Sequence, residues 1–199
     1  MKSPFDLSGR KAVVTGGSRG IGGAIAELFL EHGAEVAICH LGDEANASAL
    51  RERMAARGHA LHCTECDVSS PAAVDRFAEW ATQRLGQVDI VVNSAGVGGG
   101  DRPFESTDER DWDLTVGVNL RGTMLVTRAF FAGMTSRQWG RVINVASQLA
   151  YKGAPGLAHY CAAKAGVVGF TRALAYEGAP RGVLAVSYTH LTLPTILLV

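Results

Sequence analysis

A tyrosine and a lysine one helical turn apart, Tyr160-Cys161-Ala162-Ala163-Lys164, form the pair in this chain best suited to moving a proton. Residues four apart share one helix face, so a phenol and an ammonium lie side by side. A free tyrosine titrates near a pKa of about 10, too high for easy proton exchange at neutral pH. A neighbouring cation favours the phenolate and makes such a group a usable acid or base. Ser147, just past the apolar run of residues 141–146, can donate a hydrogen bond to the oxygen that exchanges the proton. On an arbitrary helix, Tyr-x-x-x-Lys is an ordinary half-exposed amphipathic pair. Its meaning here depends on what else the fold brings to it.

The second chemical signal lies near the N-terminus. Ala12-Val13-Val14 reads as a short buried strand, and Thr15-Gly16-Gly17-Ser18-Arg19-Gly20-Ile21-Gly22 follows at once. Ile21, Ala24, Ile25, Leu28 and Phe29 then recur at helical spacing. A glycine turn between strand and helix lets a phosphate approach free backbone N–H groups and the positive end of the helix dipole. The spacing is Thr-Gly-x-x-x-Gly-x-Gly rather than Gly-x-Gly-x-x-Gly, and a tight structural turn is the competing explanation.

Strands and helices alternate along the rest of the chain. Strands are expected at 35–39, 59–66, 88–92 and 141–146, and helices at 45–57, 72–85 and 160–176. A long helical region over 107–135 carries one interruption near Gly117. Such alternation predicts an α/β, doubly wound parallel sheet of Rossmann type, whose site lies beyond the carboxyl ends of the strands. The glycine turn, His40, Asp67, Asn93-Ser94-Ala95-Gly96 and Ser147 all fall at such ends.

With those residues in place, the chain resembles the short-chain dehydrogenase/reductases from residue 5 to about 183, and within them the 3-oxoacyl-thioester reductases. Thr15, Gly16, Ser18, Arg19, Gly20, Ile21 and Gly22 match the family's cofactor loop. Asp67-Val68 matches its adenine-contacting pair, and Asn93, Ala95 and Gly96 its Asn-Asn-Ala-Gly, with Ser94 at the second place. Asn119, Ser147, Tyr160 and Lys164 match its catalytic four. The resemblance implies hydride transfer between a nicotinamide cofactor and a small carbonyl or secondary alcohol, with Tyr160 as acid/base. It also implies that Lys164 holds the nicotinamide ribose and that Asn119 supports a water relay to it. An NAD-linked sugar or polyol dehydrogenase and, for a fragment, a non-catalytic dinucleotide-binding module are the alternatives.

Cofactor choice rests on the exit of the second strand, where an acid would accept the 2′-OH of NAD and repel a 2′-phosphate. The residues there are Cys39-His40-Leu41, with no carboxylate before Asp43, and Arg19 can pair with a phosphate. NADP is therefore expected, with NAD as second choice. Nineteen basic and nineteen acidic residues cancel, which gives no broad attraction to nucleic acid or an anionic membrane. No apolar signal region precedes the first strand, and the expected setting is cytoplasmic. His59, His62, Cys63 and Cys66 suggest a metal cluster only until strand alternation is considered, so no metal is expected. His159 reads as a flanking loop residue, while Met124, Leu125 and Phe130 read as core or subunit contacts.

The family pattern fails at the C-terminal end. Residues 1–186 are read as an incomplete catalytic domain and 187–199 as a non-native tail that resembles translated sequencing-adapter read-through. A sixth strand, a substrate-covering helical segment and a seventh strand are expected to be missing. Family tetramers use that missing region for one of their interfaces, so a dimer at most is expected.

Overall fold

In a computed structural model, which describes residues 5–100 and 102–189, six parallel strands lie in the order β3-β2-β1-β4-β5-β6. These are β1 (Lys11–Thr15), β2 (Glu35–His40), β3 (Leu61–Glu65), β4 (Ile90–Asn93), β5 (Gly140–Val145) and β6 (Val183–Tyr188). The helices are α1 (Gly20–Glu31), α2 (Glu44–Ala56), α3 (Pro71–Leu85), α4 (Glu109–Val116), α5 (Gly122–Ser136), α6 (Leu149–Lys152) and α7 (Ala158–Gly178). The expected interruption near Gly117 is a π-helical segment, Gly117–Arg121, between α4 and α5.

Strand alternation divides the core in two. Ala12, Val14, Val36 and Ile38 face Ala26 and Leu30 of α1 and Leu50 and Met54 of α2. Val13, Ala37, Val91 and Val142 face the opposite way, toward Phe77 and Leu85 of α3 and Leu125 and Phe130 of α5. Fully burying such side chains contributes about 1.5–3 kcal/mol each. Switching faces between β3 and β4 opens a crevice at the carboxyl end of β1 and β4, where open sheets of this kind bind ligands.

β6 corrects the expectation that a sixth strand is missing. It pairs with β5 in parallel from Gly140↔Val183 to Val145↔Tyr188, so the sheet takes in Ser187 and Tyr188 beyond the expected boundary at 186. The physical reason is alternation hidden within an apolar run: Val183 is buried against the core, while Leu184, Val186 and Tyr188 are about half exposed on the other face. No substrate-covering helix and no seventh strand are found among the described residues, and the remainder of the expected tail, 190–199, lies outside them.

A buried polar ladder ties the sheet to its helices. Asn93 Nδ2 donates to Thr127 Oγ1 at 2.9 Å and to Asn144 Oδ1 at 2.8 Å. Asn144 Nδ2 donates to Thr171 Oγ1 at 2.8 Å, and Thr171 Oγ1 donates to the Val167 carbonyl at 2.7 Å. Adjacent strands β4 and β5 are thereby linked to both α5 and α7, which pack on the same face of the sheet.

Candidate active site

The glycine turn is shaped by contacts that only glycine permits. Gly16 has φ +61°, and a Cβ there would lie 2.8 Å from the Ala95 Cα. A Cβ on Gly22 would collide with the Gly16 carbonyl. Arg19, at the N-cap of α1, makes no side-chain capping bond, so the first helical N–H groups remain available at the positive end of the dipole. This end borders a cavity of about 550 Å³ lined by Gly16, Ser18, Arg19, Gly20, Ile21, Gly22, His40, Asp67, Val68, Ala95 and Gly96. An uncapped helix start beside a backbone cradle fits the pyrophosphate of a dinucleotide.

Thr15 and Asn93, both expected to touch cofactor, line neither this cavity nor the one that holds Tyr160 and Lys164. Thr15 is buried, and its hydroxyl accepts the N–H groups of Ser94 and Ala95, each at 3.1 Å. It holds the loop after β4 against the glycine turn. Asn93 belongs to the polar ladder and points its amide into the core. Asp43, the first carboxylate after β2, does line the cavity and pairs with Arg19 at 3.1 Å.

A second cavity, of about 730 Å³, brings Asn119, Ser147, Tyr160 and Lys164 together. Ser147 follows β5, and its Oγ accepts the Leu149 N–H at 3.2 Å, leaving its own O–H to donate elsewhere. Tyr160 and Lys164 share a face of α7, with the ammonium 5.7 Å from the phenol ring centroid. Lys164 Nζ donates to the Val145 carbonyl at 2.8 Å, and burial pushes its pKa down to about 8. Asn119 sits in the π-helical segment, a distortion frequent at functional sites. Its Nδ2 donates to the carbonyls of Val97 and Thr115 at 2.8 and 2.9 Å, while Oδ1 is buried without a partner in the structure.

Sequence reasoning missed several residues of this second site. Tyr188 and Thr189 at the end of β6 line it, as do Leu149 of α6 and the glycine loop Val97-Gly98-Gly99. The four-residue α6 is too short to show a period. His159, expected in a loop, instead lies in the first turn of α7 and is 1% exposed, with neither ring nitrogen hydrogen-bonded in the structure. The apolar neighbours Leu157 and Ala158 were the only available signal for that burial.

The two cavities share Ile21, Ser94, Gly96 and Val97 as a common wall, so one elongated ligand can run from the glycine turn to Tyr160. The sequence pattern described as short chain dehydrogenase matches residues 10–192. The chain belongs to the short-chain dehydrogenase family. As such it is an NAD(P)-dependent oxidoreductase. This short-chain dehydrogenase is 40% identical over 175 residues to an acetoacetyl-CoA reductase from Allochromatium vinosum, covering 87% of this chain and 71% of that protein. It is 39% identical over 179 residues to a D-threitol dehydrogenase from Mycolicibacterium smegmatis, covering 90% and 68%. A crystal structure described as a short-chain alcohol dehydrogenase from Sinorhizobium meliloti 1021 superposes with a TM-score of 0.89 at 36% identity, covering 94% of this chain and 73% of that one. Among the described residues, no helix is long and apolar enough to cross a membrane, and no cluster of three or more His, Cys, Asp or Glu could hold a metal ion.

Proposed function

We propose that this dehydrogenase moves a hydride between NADP(H) and the carbonyl or secondary alcohol of a 3-oxoacyl thioester, with Tyr160 as acid/base. The observation that carries the reading is the convergence of Ser147, Tyr160 and Lys164 in a cavity continuous with the glycine turn. The acetoacetyl-CoA reductase relative supports the thioester as substrate class. When bound, the nicotinamide supplies the hydride in reduction or accepts it in oxidation.

The chain's own residues handle the proton and the oxygen. The Ser147 O–H donates to the substrate oxygen and holds it beside the Tyr160 phenol. Tyr160 gives that oxygen its proton in reduction and removes it in oxidation. Lys164, a buried cation at neutral pH, stabilises the phenolate left behind and would hold the ribose of a bound cofactor. Asn119 Oδ1 lies 2.7 Å from the point a Cβ on Gly96 would occupy, and Lys164 Nζ lies 3.7 Å from the same point. The unpartnered Asn119 acceptor and the Lys164 donor thus both border Gly96 in the cavity, and a water bridging them would return the proton from solvent.

Tyr160→Phe separates chemistry from binding. Turnover of acetoacetyl-CoA should fall by about 10²- to 10⁴-fold, while the NADPH dissociation constant from fluorescence titration stays near wild type. Near-normal turnover in the phenylalanine variant would overturn the assignment. A second reading, an NAD-linked polyol dehydrogenase, is favoured by the Asp43 carboxylate in the cofactor cavity and by the D-threitol dehydrogenase relative. Threitol oxidation with NAD, faster than thioester reduction with NADPH, would select it.

A further inference from the structure

We infer that Asp43 is a specificity-determining residue that competes with the 2′-phosphate of the cofactor for Arg19 and Ser18. The inference rests on the NADP(H) hydride-transfer reading above. Arg19 looks free in the sequence to bind a phosphate, yet in the fold it is already paired. Asp43 Oδ2 accepts the Ser18 hydroxyl at 2.6 Å and lies 3.1 Å from Arg19 Nε. Asp43 Oδ1 accepts Asn46 Nδ2 at 2.7 Å. These bonds, that of Ser18 foremost, hold the Asp43 carboxyl below the usual carboxylate range, so it is an anion throughout neutral pH.

The position of this anion gives it its role. Asp43 precedes α2 without capping it by its side chain, so its carboxylate clamps the β2–α2 loop to the glycine turn. Its N–H donates to His40 Nδ1 at 3.3 Å, which fixes the carboxylate beside the end of β2. Dinucleotide folds read the adenine ribose at that strand end. The Asp43 side chain is 21% exposed and that of Arg19 76%, so the carboxylate is the anchored partner and the guanidinium the mobile one. A 2′-hydroxyl can donate to the carboxylate with the Arg19–Asp43 pair intact. A 2′-phosphate must draw Arg19 away and then sit near an uncompensated Asp43. The attraction that Arg19 offers to NADPH is therefore reduced by the repulsion from Asp43.

Calorimetric titration of the full chain with NADPH and with NADH tests this on four proteins: wild type, Asp43→Asn, Arg19→Ala and the double variant. Asp43→Asn should bind NADPH about tenfold more tightly, with NADH changed by less than about twofold, as expected for removing one screened charge at a few ångströms. The gain should shrink severalfold in the Arg19→Ala background, where no guanidinium is released and only the direct repulsion of the phosphate is relieved. Asp43→Ser, with a shorter neutral side chain, repeats the test should the asparagine variant unfold below the assay temperature. Equal effects of Asp43→Asn on both cofactors, or a gain undiminished without Arg19, would overturn the inference. Failure of wild type to bind either cofactor would instead overturn the hydride-transfer reading on which it rests.

Discussion

Replacing Lys164 with methionine should make the protein more stable and less useful. The Lys164 side chain is 5% exposed, and its pKa lies at about 8 in the fold against 10.5 when free. Between those pH values the unfolded chain holds a proton that the folded chain has lost, so stability rises with pH across the window. Below it both states are protonated, and the fold carries the full cost of a buried cation. At 1.36 kcal/mol per pH unit, that cost is about 3 kcal/mol at pH 7 and about 1 kcal/mol at pH 9.5. Methionine removes the charge but leaves the Val145 carbonyl without its donor, a loss of about 1 kcal/mol. The net gain is then about 2 kcal/mol at pH 7 and close to zero at pH 9.5. Urea unfolding of the cofactor-free protein at the two pH values, followed by circular dichroism, reads this difference directly. A methionine variant less stable than wild type at pH 7, or a gain that does not shrink at pH 9.5, would refute the reasoning. A stabilised variant with lost turnover is the trade expected when a strained group is kept for function.

Other perturbations have equally definite outcomes. Asn144→Ala strips partners from Asn93 and Thr171 and should cost about 3 kcal/mol in urea unfolding. Gly22→Ala should abolish NADPH binding in fluorescence titration, because the added methyl meets the Gly16 carbonyl and the turn must open. Backbone amides of Val183–Tyr188 should be protected in hydrogen exchange if β6 pairs as seen, whereas exchange as fast as in the β1–α1 turn would refute the strand. Light scattering should show a dimer that dissociates in Phe131→Glu, since Met124, Phe131, Phe170 and Leu174 line an apolar groove between α5 and α7. A monodisperse monomer for wild type, or a tetramer, would contradict this.

Much of this site was legible because its residues lie at strand ends, and strand ends can be read from apolar runs followed by glycine or polar residues. The glycine turn, Asp67-Val68 and Ser147 were located in this way, and the Tyr160–Lys164 pair by its helical spacing. What a strand end does not reveal is which way a side chain faces. Thr15 and Asn93 share the correct level of the sheet, yet both turn into the protein and hold the loop and the core instead. Asp43 was illegible for a different reason: it meets Ser18 across 25 residues of chain, a proximity that no local pattern encodes. β6 was misjudged because Val183 to Tyr188 is apolar on both faces, which hides the period of two that the fold imposes.

The polar ladder through Asn93 and Asn144 also acts as a vernier for the active site. Asn93 stands opposite Asn144 in the pairing of β4 with β5. Sliding β5 by one position would set Ile143 or Val145 in that place and strand several amide and hydroxyl groups in apolar surroundings. Each orphaned group costs about 1–3 kcal/mol, so intermediate positions are not populated. Ser147 lies a short step beyond Asn144 on the same strand end, and Thr171 is on the helix that carries Tyr160 and Lys164. The distance between hydroxyl and phenol is thus graduated in whole residues by a device buried well below them. Substitutions at the cavity surface can retune the substrate without disturbing that spacing, whereas a single change at Asn144 would blur it from within.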